Sequence, residues 1–320
     1  NELKKESNLI KESNLVRDLK VEETGIRLDA YITSKLEDLS RNMVQKLIKK
    51  GDILVNNKEE KESYKVQKGD QILVVIPKPE EKGLKKQEIP LDIIYEDEDI
   101  LVVNKPKGMV VHPSAGHMSH TLVNGLLYHC KGNLSGINGV LRPGIVHRID
   151  MDTTGAIIAC KNDIAHQSLA KQLQVHSITR KYEAIVYHNL QEETGTIDKP
   201  IGRHPVHRKK MAVVQPEKGK RAVTHYRVLS HLNHKFNYIE CQLETGRTHQ
   251  IRVHMASIMH PLLGDELYGP KPQKMFEKLQ GQTLHAKILG FQHPVTNQYI
   301  EVESPLPQYF VELLKNLGNS

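Results

Sequence analysis

An aspartate stands at the end of the run Gly144-Ile145-Val146-His147-Arg148-Ile149-Asp150, two residues beyond a cation. Apolar and polar positions alternate, so the run reads as a strand with Arg148 and Asp150 on one face and Ile145, His147 and Ile149 on the other. Asp152-Thr153-Thr154-Gly155 follows as a turn rich in side-chain acceptors, and a strand from Ala156 to Cys160 comes next. A carboxylate at a strand end, beside a guanidinium and a glycine-containing turn, is suited to act as a reactive group. The plainer role is also open and, from this run alone, the commoner one: Asp150 or Asp152 can cap the turn through backbone N–H groups. A metal site on Asp150 and Asp152 is disfavoured, because no further ligands stand at a recognisable spacing.

Two later segments carry groups that could complete such a site. In Ile178 to Val186 the alternation places Arg180, Tyr182 and Ala184 on one face, although a lone strand tyrosine is ordinarily a packing residue. Glu244 to Met255 reads as a turn, carrying Arg247 and capped by Thr248, that leads into a helix with His249 and Arg252 one turn apart on one side. Taken singly, each is more often a surface or hydrogen-bonding residue than a catalytic one.

The elements that must position these groups fall into two domains. A chain of 320 residues, 38% hydrophobic, is long enough for two domains at about 150 residues each and for a sizeable core. The longest purely aliphatic stretch, Ile72 to Ile76, is five residues, against the roughly 20 a membrane span needs, and the N-terminus shows no signal-peptide core. The three cysteines, Cys130, Cys160 and Cys241, form neither a disulfide framework nor a zinc motif, so the chain is read as cytoplasmic, reduced and away from membranes. The net charge is +7, and the segment from Lys199 to Arg221 holds eight basic residues against the single acid Glu217. That asymmetry suits a polyanionic partner.

Residues 1–22, which repeat KESNL at Lys5 to Leu9 and Lys11 to Leu15, are expected to be a disordered tail. Within 23–78, Ser40 reads as a helix N-cap and Gly51 as its stop, with Met43, Val44, Leu47 and Ile48 at helical spacing and Arg41, Gln45, Lys46, Lys49 and Lys50 opposite. Short strands at Ile53 to Val55 and Gln71 to Ile76 flank a turn at Asn56-Asn57. Residues 79–90 read as a linker, with Pro79, Gly83 and Pro90 among mixed charges, and 91–317 as one larger domain of alternating strands and helices.

The order "RLDAYI…LSRNMVQKLIKKGDILVNN…KVQKGDQILV" resembles the S4 RNA-binding module, which presents basic side chains to structured RNA. "EDEDILVVNKPKGMVVHPSAGH", "GIVHRIDMDTTG", "ITRKYEAIV" and "LETGRTHQIRVHMASIMHPLLGDELYG" follow in the order found in RluA-type pseudouridine synthases. With the S4-like module in front, the match narrows to the RluD-like subgroup and covers roughly Glu23 to Leu314. Ile149 departs from it, standing where many members carry Leu.

The resemblance implies an α+β fold: a small S4-like domain ahead of a catalytic domain with a mixed, largely antiparallel sheet flanked by helices. It implies that Asp150 is the catalytic aspartate, Tyr182 the tyrosine that packs on the target base, and Arg252 the cation paired with the aspartate. Ile251 would line the pocket, Arg148 would fill the gap left by a flipped uridine, and His147, Arg180, Arg247 and His249 would stand around the substrate. Arg41, Lys46, Lys49 and Lys50, with Arg203, Arg208, Lys209 and Lys210, are the expected RNA-binding cations. The implied reaction detaches uracil at N1, turns it over and rejoins it through C5, in ribosomal RNA, by a monomer using neither cofactor nor metal. A non-catalytic ribosome-assembly factor, or a nucleoside hydrolase using Asp150 and Asp152 to release free uracil, are the competing readings.

Overall fold

The computed structural model describes residues 15–36, 39–76, 84–114, 116–139, 141–207, 209–271 and 273–318. The chain divides into two compact units, 1–83 and 84–320.

In the first unit, helices α1 (Leu28–Lys35) and α2 (Arg41–Lys50) accompany strands β1 (Leu15–Lys20), β2 (Ile53–Val55), β3 (Lys58–Glu59) and β4 (Gln71–Ile76), in the sheet order β1-β4-β2-β3. Strand β1 corrects the expectation of a disordered tail reaching residue 22. It runs antiparallel to β4 from Leu15↔Ile76 to Lys20↔Gln71. Leu19 and the buried Val21 pack into this unit's core, so burial decides where the polar composition misleads. The rest of the expected tail, 1–14, lies outside the described residues.

Helix α2 begins and ends where its sequence says. The Ser40 hydroxyl accepts from the Met43 N–H at 3.3 Å, and Gly51 at φ 75° makes the left-handed stop that favours glycine. Val44, Leu47 and Ile48 are buried, whereas Met43, expected on the apolar stripe, is 40% exposed. Lys46, Lys49 and Lys50 stand exposed on the other side. Arg41 is exposed too, but it is ion-paired at 3.1 Å to the fully buried Asp29, which also binds Arg27 and Gln45. Asn56 and Asn57, both at positive φ, form the tight hairpin turn expected of them.

The second unit is built on a nine-stranded sheet. Its strands are β5 (Ile93–Glu96), β6 (Ile100–Lys105), β7 (Thr154–Cys160), β8 (Thr179–Tyr187), β9 (Thr194–Asp198), β12 (Val223–Leu232), β13 (Phe236–Leu243), β14 (Leu284–Gln292) and β15 (Tyr299–Glu303). They lie in the order β5-β6-β7-β14-β8-β13-β12-β9, with β15 on β14, and a separate two-stranded ribbon pairs β10 (Ile201–Arg203) with β11 (Met211–Val213). Among the described residues only β7 and β14 run parallel, so the sheet is mixed and largely antiparallel, as expected.

Period-two burial sends Leu101, Val103, Ile157, Tyr182 and Ala184 to the face covered by α3 (Leu122–His129) and α5 (Gln250–Ser257). Ile100, Val102, Ala156 and Ile158 face α4 (Asp163–Gln174), while Ile185 and Tyr187 pack with Phe310 and Leu317 of α6 (Gln308–Gly318). Gly155, at φ 108°, lies so close to the Ala286 backbone that a Cβ there would overlap it. The β7–β14 junction beside Asp150 therefore depends on that glycine.

The expected linker is shorter than 79–90. Its described part, 84–90, is docked on α3: Leu84 packs on the main core, the Gln87 N–H donates to Asn124 O at 3.1 Å, and Asn124 Nδ2 donates to Lys85 O at 2.9 Å. Pro79 and Gly83 lie outside the described residues. The three cysteines are buried and unbonded, and among the described residues no helix is long and apolar enough to cross a membrane.

Candidate active site

The run Gly144 to Asp150 is not a strand. Only Ile145 makes a bridge, to Ala159, and the remainder crosses β7 as extended loop. Its two faces are nevertheless those the alternation predicts. Ile145 and Ile149 enter the core, and His147 Nε2 accepts the Ile158 N–H at 3.1 Å. Burial, with the charge of Arg180 added, pushes the His147 imidazole down to about 3, so the ring stays neutral and serves as an acceptor anchoring the loop. Arg148 is left exposed and Asp150 half-buried.

The aspartate is held from α5. Arg252 Nη1 donates to Asp150 Oδ2 at 2.9 Å, while Nε and Nη2 form a fork to Asp265 at 2.6 and 2.9 Å. Burial opposes a charge on Arg252, but the hydrogen bonds and charge of Asp265 and then Asp150 outweigh it and hold the guanidinium above its ordinary pKa. Asp265, 1% exposed, also accepts the Leu267 and Tyr268 N–H groups, which fixes the loop after α5 beneath the arginine. Arg252 lies over the Tyr268 ring at 5.1 Å.

A second contact reaches Asp150 from His249, whose Nε2 is 3.8 Å from Oδ1. His249, not Thr248, is the cap position of α5. It takes a left-handed φ of 57° and makes no side-chain cap bond, because the turn is locked by Gln250, which accepts from Arg247 N–H and Thr245 and donates to Val223 O. His249 Nδ1 shares a 2.7 Å hydrogen bond with the Tyr268 hydroxyl, which also receives the Met211 N–H at 2.8 Å. The turn end of the β10–β11 ribbon, where Met211 pairs with Arg203, is thus tied to the group beside Asp150. That ribbon carries Arg203, and the turn after it Lys209 and Lys210; Arg208 lies outside the described residues.

Behind the loop, Lys105 is fully buried and donates to three carbonyls, Pro106 O, Met109 O and Met151 O, at 2.8 to 2.9 Å. Burial pulls its ammonium down to about 7 against the attraction of Asp152 and Asp150. Gln282 Nε2 donates to Thr153 at 3.0 Å, and Thr154 Oγ1 shares a 2.8 Å bond with His285. Residues just before and within β14 therefore brace the turn that follows Asp150.

A cavity of about 540 Å³ opens in front of this frame, within the range of small-molecule sites. It brings together all nine residues expected from the sequence: Asp150, Tyr182, Arg252, Arg148, His147, Ile251, Arg180, Arg247 and His249. Leu243 and Leu284 add apolar wall. A smaller cavity of about 330 Å³ shares Arg148 and Asp150 and is where Asp152 lies. Both carboxylates line the smaller cavity, whereas the larger one, which holds Tyr182, is lined by Asp150 and not by Asp152. The cluster of Asp97, Asp99 and His293, whose ligand atoms lie close enough for a metal, already uses them in hydrogen bonds: Asp97 with Tyr95 and His293, Asp99 with Asn162.

Sequence reasoning missed Asp265, Tyr268 and Lys105. Asp265 stands in the quoted stretch "LLGDELYG", but nothing in spacing shows that the chain turns back under Arg252.

Comparison with known proteins agrees with this architecture. The RNA pseudouridylate synthase family matches residues 99–257 and the S4 domain residues 26–72. An uncharacterized RNA pseudouridine synthase of Bacillus subtilis, YlyB, is 52% identical over 92% of this chain and 95% of its own length. Ribosomal large subunit pseudouridine synthase D of Zymomonas mobilis is 48% identical over 92% of this chain and 94% of its own, and that of Escherichia coli 43% identical over 91% and 90%. Among solved structures, human RNA pseudouridylate synthase domain containing 4 superposes with a TM-score of 0.56 at 25% identity, covering 70% of this chain and 92% of that one. With half its residues shared with such a relative along nearly its whole length, the chain belongs to the RNA pseudouridine synthase family and is an isomerase acting on RNA.

Proposed function

We propose that this enzyme isomerises specific uridines of large-subunit ribosomal RNA, taking each target base out of its stack and using Asp150 to cleave the glycosidic bond before the base rejoins through C5. The observation that carries the chemistry is Asp150, aimed by Arg252 into a cavity whose wall includes Tyr182. A stacked uridine does not expose its C1′, so it must be extruded at a cost of a few kcal/mol, which stacking and phosphate contacts offset. Tyr182 offers a ring face to the base. Arg148, exposed and next to the aspartate, is placed to occupy the vacated stack. Cleavage builds positive character on the ribose, and a carboxylate answers it by attack at C1′ or by removing the C2′ proton. The ribosomal target rests on the names of the relatives and on the S4 domain.

Mapping pseudouridines in total RNA from a strain lacking the protein tests the target. Discrete sites should disappear from large-subunit RNA and return with the wild-type gene; losses confined to transfer or small-subunit RNA would sink the assignment.

Deleting 25–77 should weaken binding to structured ribosomal RNA and leave turnover measurable at high RNA concentration, since every residue assigned to chemistry lies in the second unit. If Lys46, Lys49 and Lys50 make about three phosphate contacts, the log–log salt slope should fall by roughly two to three. An unchanged slope, or a variant dead at saturation, would contradict this division. Neutralising Arg208, Lys209 and Lys210 should instead lower turnover at saturation.

A further inference from the structure

Breaking the N1–C1′ bond leaves its electron pair on uracil, as an anion spread over N1, O2 and O4. The sugar carbon is meanwhile bonded to Asp150, or loses its C2′ proton to it. When C5 bonds to C1′, the Asp150–sugar bond breaks or Asp150 returns the C2′ proton, so the carboxylate regains its charge; the C5 proton then departs and N1 takes one up. Asp150 answers the positive half of this separation, and the negative half needs a partner that is not a carboxylate.

Arg180 has the environment of such a partner. It is 7% exposed on β8, two residues before Tyr182 on the same face, and both side chains line the larger cavity. The other cations buried at this site are matched: Arg252 by two carboxylates, Lys105 by three carbonyls. Among the described residues no carboxylate pairs with Arg180. Of its five N–H donors, one is matched, by Nη2 donating to Glu244 O at 3.2 Å, and Nε has no partner. Burial and the nearby Arg247 both act against its charge. Gly246 leaves room for Nη1, since a Cβ there would overlap it. A buried guanidinium with spare donors, a cationic neighbour and no counterion is stabilised when an anion arrives.

We propose that Arg180 receives the negative charge of the departing uracil, donating from its guanidinium to a carbonyl oxygen of the base. The proposal rests on uracil occupying this cavity, as argued above. It makes Arg180 a catalytic residue that acts most strongly when the bond is broken, the condition for accelerating that step.

The test uses leaving-group chemistry. 5-Fluorouracil is more acidic at N1 and depends less on outside stabilisation. Arg180→Met should slow single-turnover consumption of the target nucleotide about 100-fold or more in uridine RNA, the typical loss for an oxyanion donor. In 5-fluorouridine RNA the loss should be at least about tenfold smaller, with RNA affinity changed by no more than a few-fold. Gly246→Ala, which leaves Arg180 in the chain but displaces it, should show the same substrate-dependent pattern with smaller amplitude, so the test survives if the methionine variant does not fold. Equal losses on both substrates, or a loss confined to affinity, would overturn the role of Arg180 while leaving the cavity reading intact. Turnover surviving in Asp150→Asn, measured alongside, would instead remove the cavity reading and this proposal with it.

Discussion

Asp150→Asn should abolish pseudouridine formation while leaving RNA affinity within a few-fold of wild type. Asparagine keeps the size of the side chain and an oxygen that can accept from Arg252 Nη1, but it offers neither a basic oxygen nor a nucleophile. The substitution leaves the frame standing, because the fork from Arg252 to Asp265 does not involve Asp150. Affinity is expected to reside mainly in phosphate contacts, which a neutral side chain at position 150 should not disturb. Loss of an essential group typically costs orders of magnitude, each factor of ten being about 1.4 kcal/mol of transition-state stabilisation. Single-turnover assays on a substrate RNA decide it: a variant keeping more than about a tenth of the wild-type rate is incompatible with a chemical role for Asp150.

Arg252→Met should both inactivate the enzyme and destabilise the second unit. Arg252 is the cation between two carboxylates, and Asp265, almost completely buried, would be left with a charge and no counterion. Breaking a buried pair from one side costs about 3–5 kcal/mol, far more than the pair itself is worth. The double variant Arg252→Met/Asp265→Leu should therefore recover much of the stability in thermal unfolding and none of the turnover. Arg252→Lys keeps a charge but not the three-way geometry, because an ammonium cannot span Asp150 and both oxygens of Asp265, so its activity should remain low. Recovery of turnover in the double variant would show that Arg252 holds the fold without aiming the aspartate.

The residues surrounding the larger cavity were legible because the contiguous motifs that carry them resemble those of a known family; alternation and helical spacing alone told only which of them share a face. In Gly144 to Asp150 the side chains follow the alternation although the run is not a strand. An extended segment laid across β7 alternates its side chains whether or not its backbone joins the ladder, so periodicity reports extension, not hydrogen bonding. What stayed hidden depends on the chain returning to itself. Asp265 and Tyr268 acquire their roles only when the segment after α5 folds back under Arg252, and Lys105 only when the loop carrying Met151 passes over it. Strand β1 was hidden for a related reason, since its charged composition gains stability only from pairing with β4, more than fifty residues away in the chain.

The parallel junction of β7 and β14 also sets an order of events in time. Asp150 and its turn are synthesised near the middle of the chain, yet Thr153 and Thr154 are braced by Gln282 and His285, close to its C-terminal end. Domains emerge and fold from the N-terminal side, and contacts this distant in sequence form slowly. The first unit, with a core of its own, has everything it needs to fold while the rest is still being made. A nascent chain therefore presents its RNA-binding module well before the loop that holds Asp150 is fixed, and an incompletely synthesised molecule is a binder before it is a catalyst.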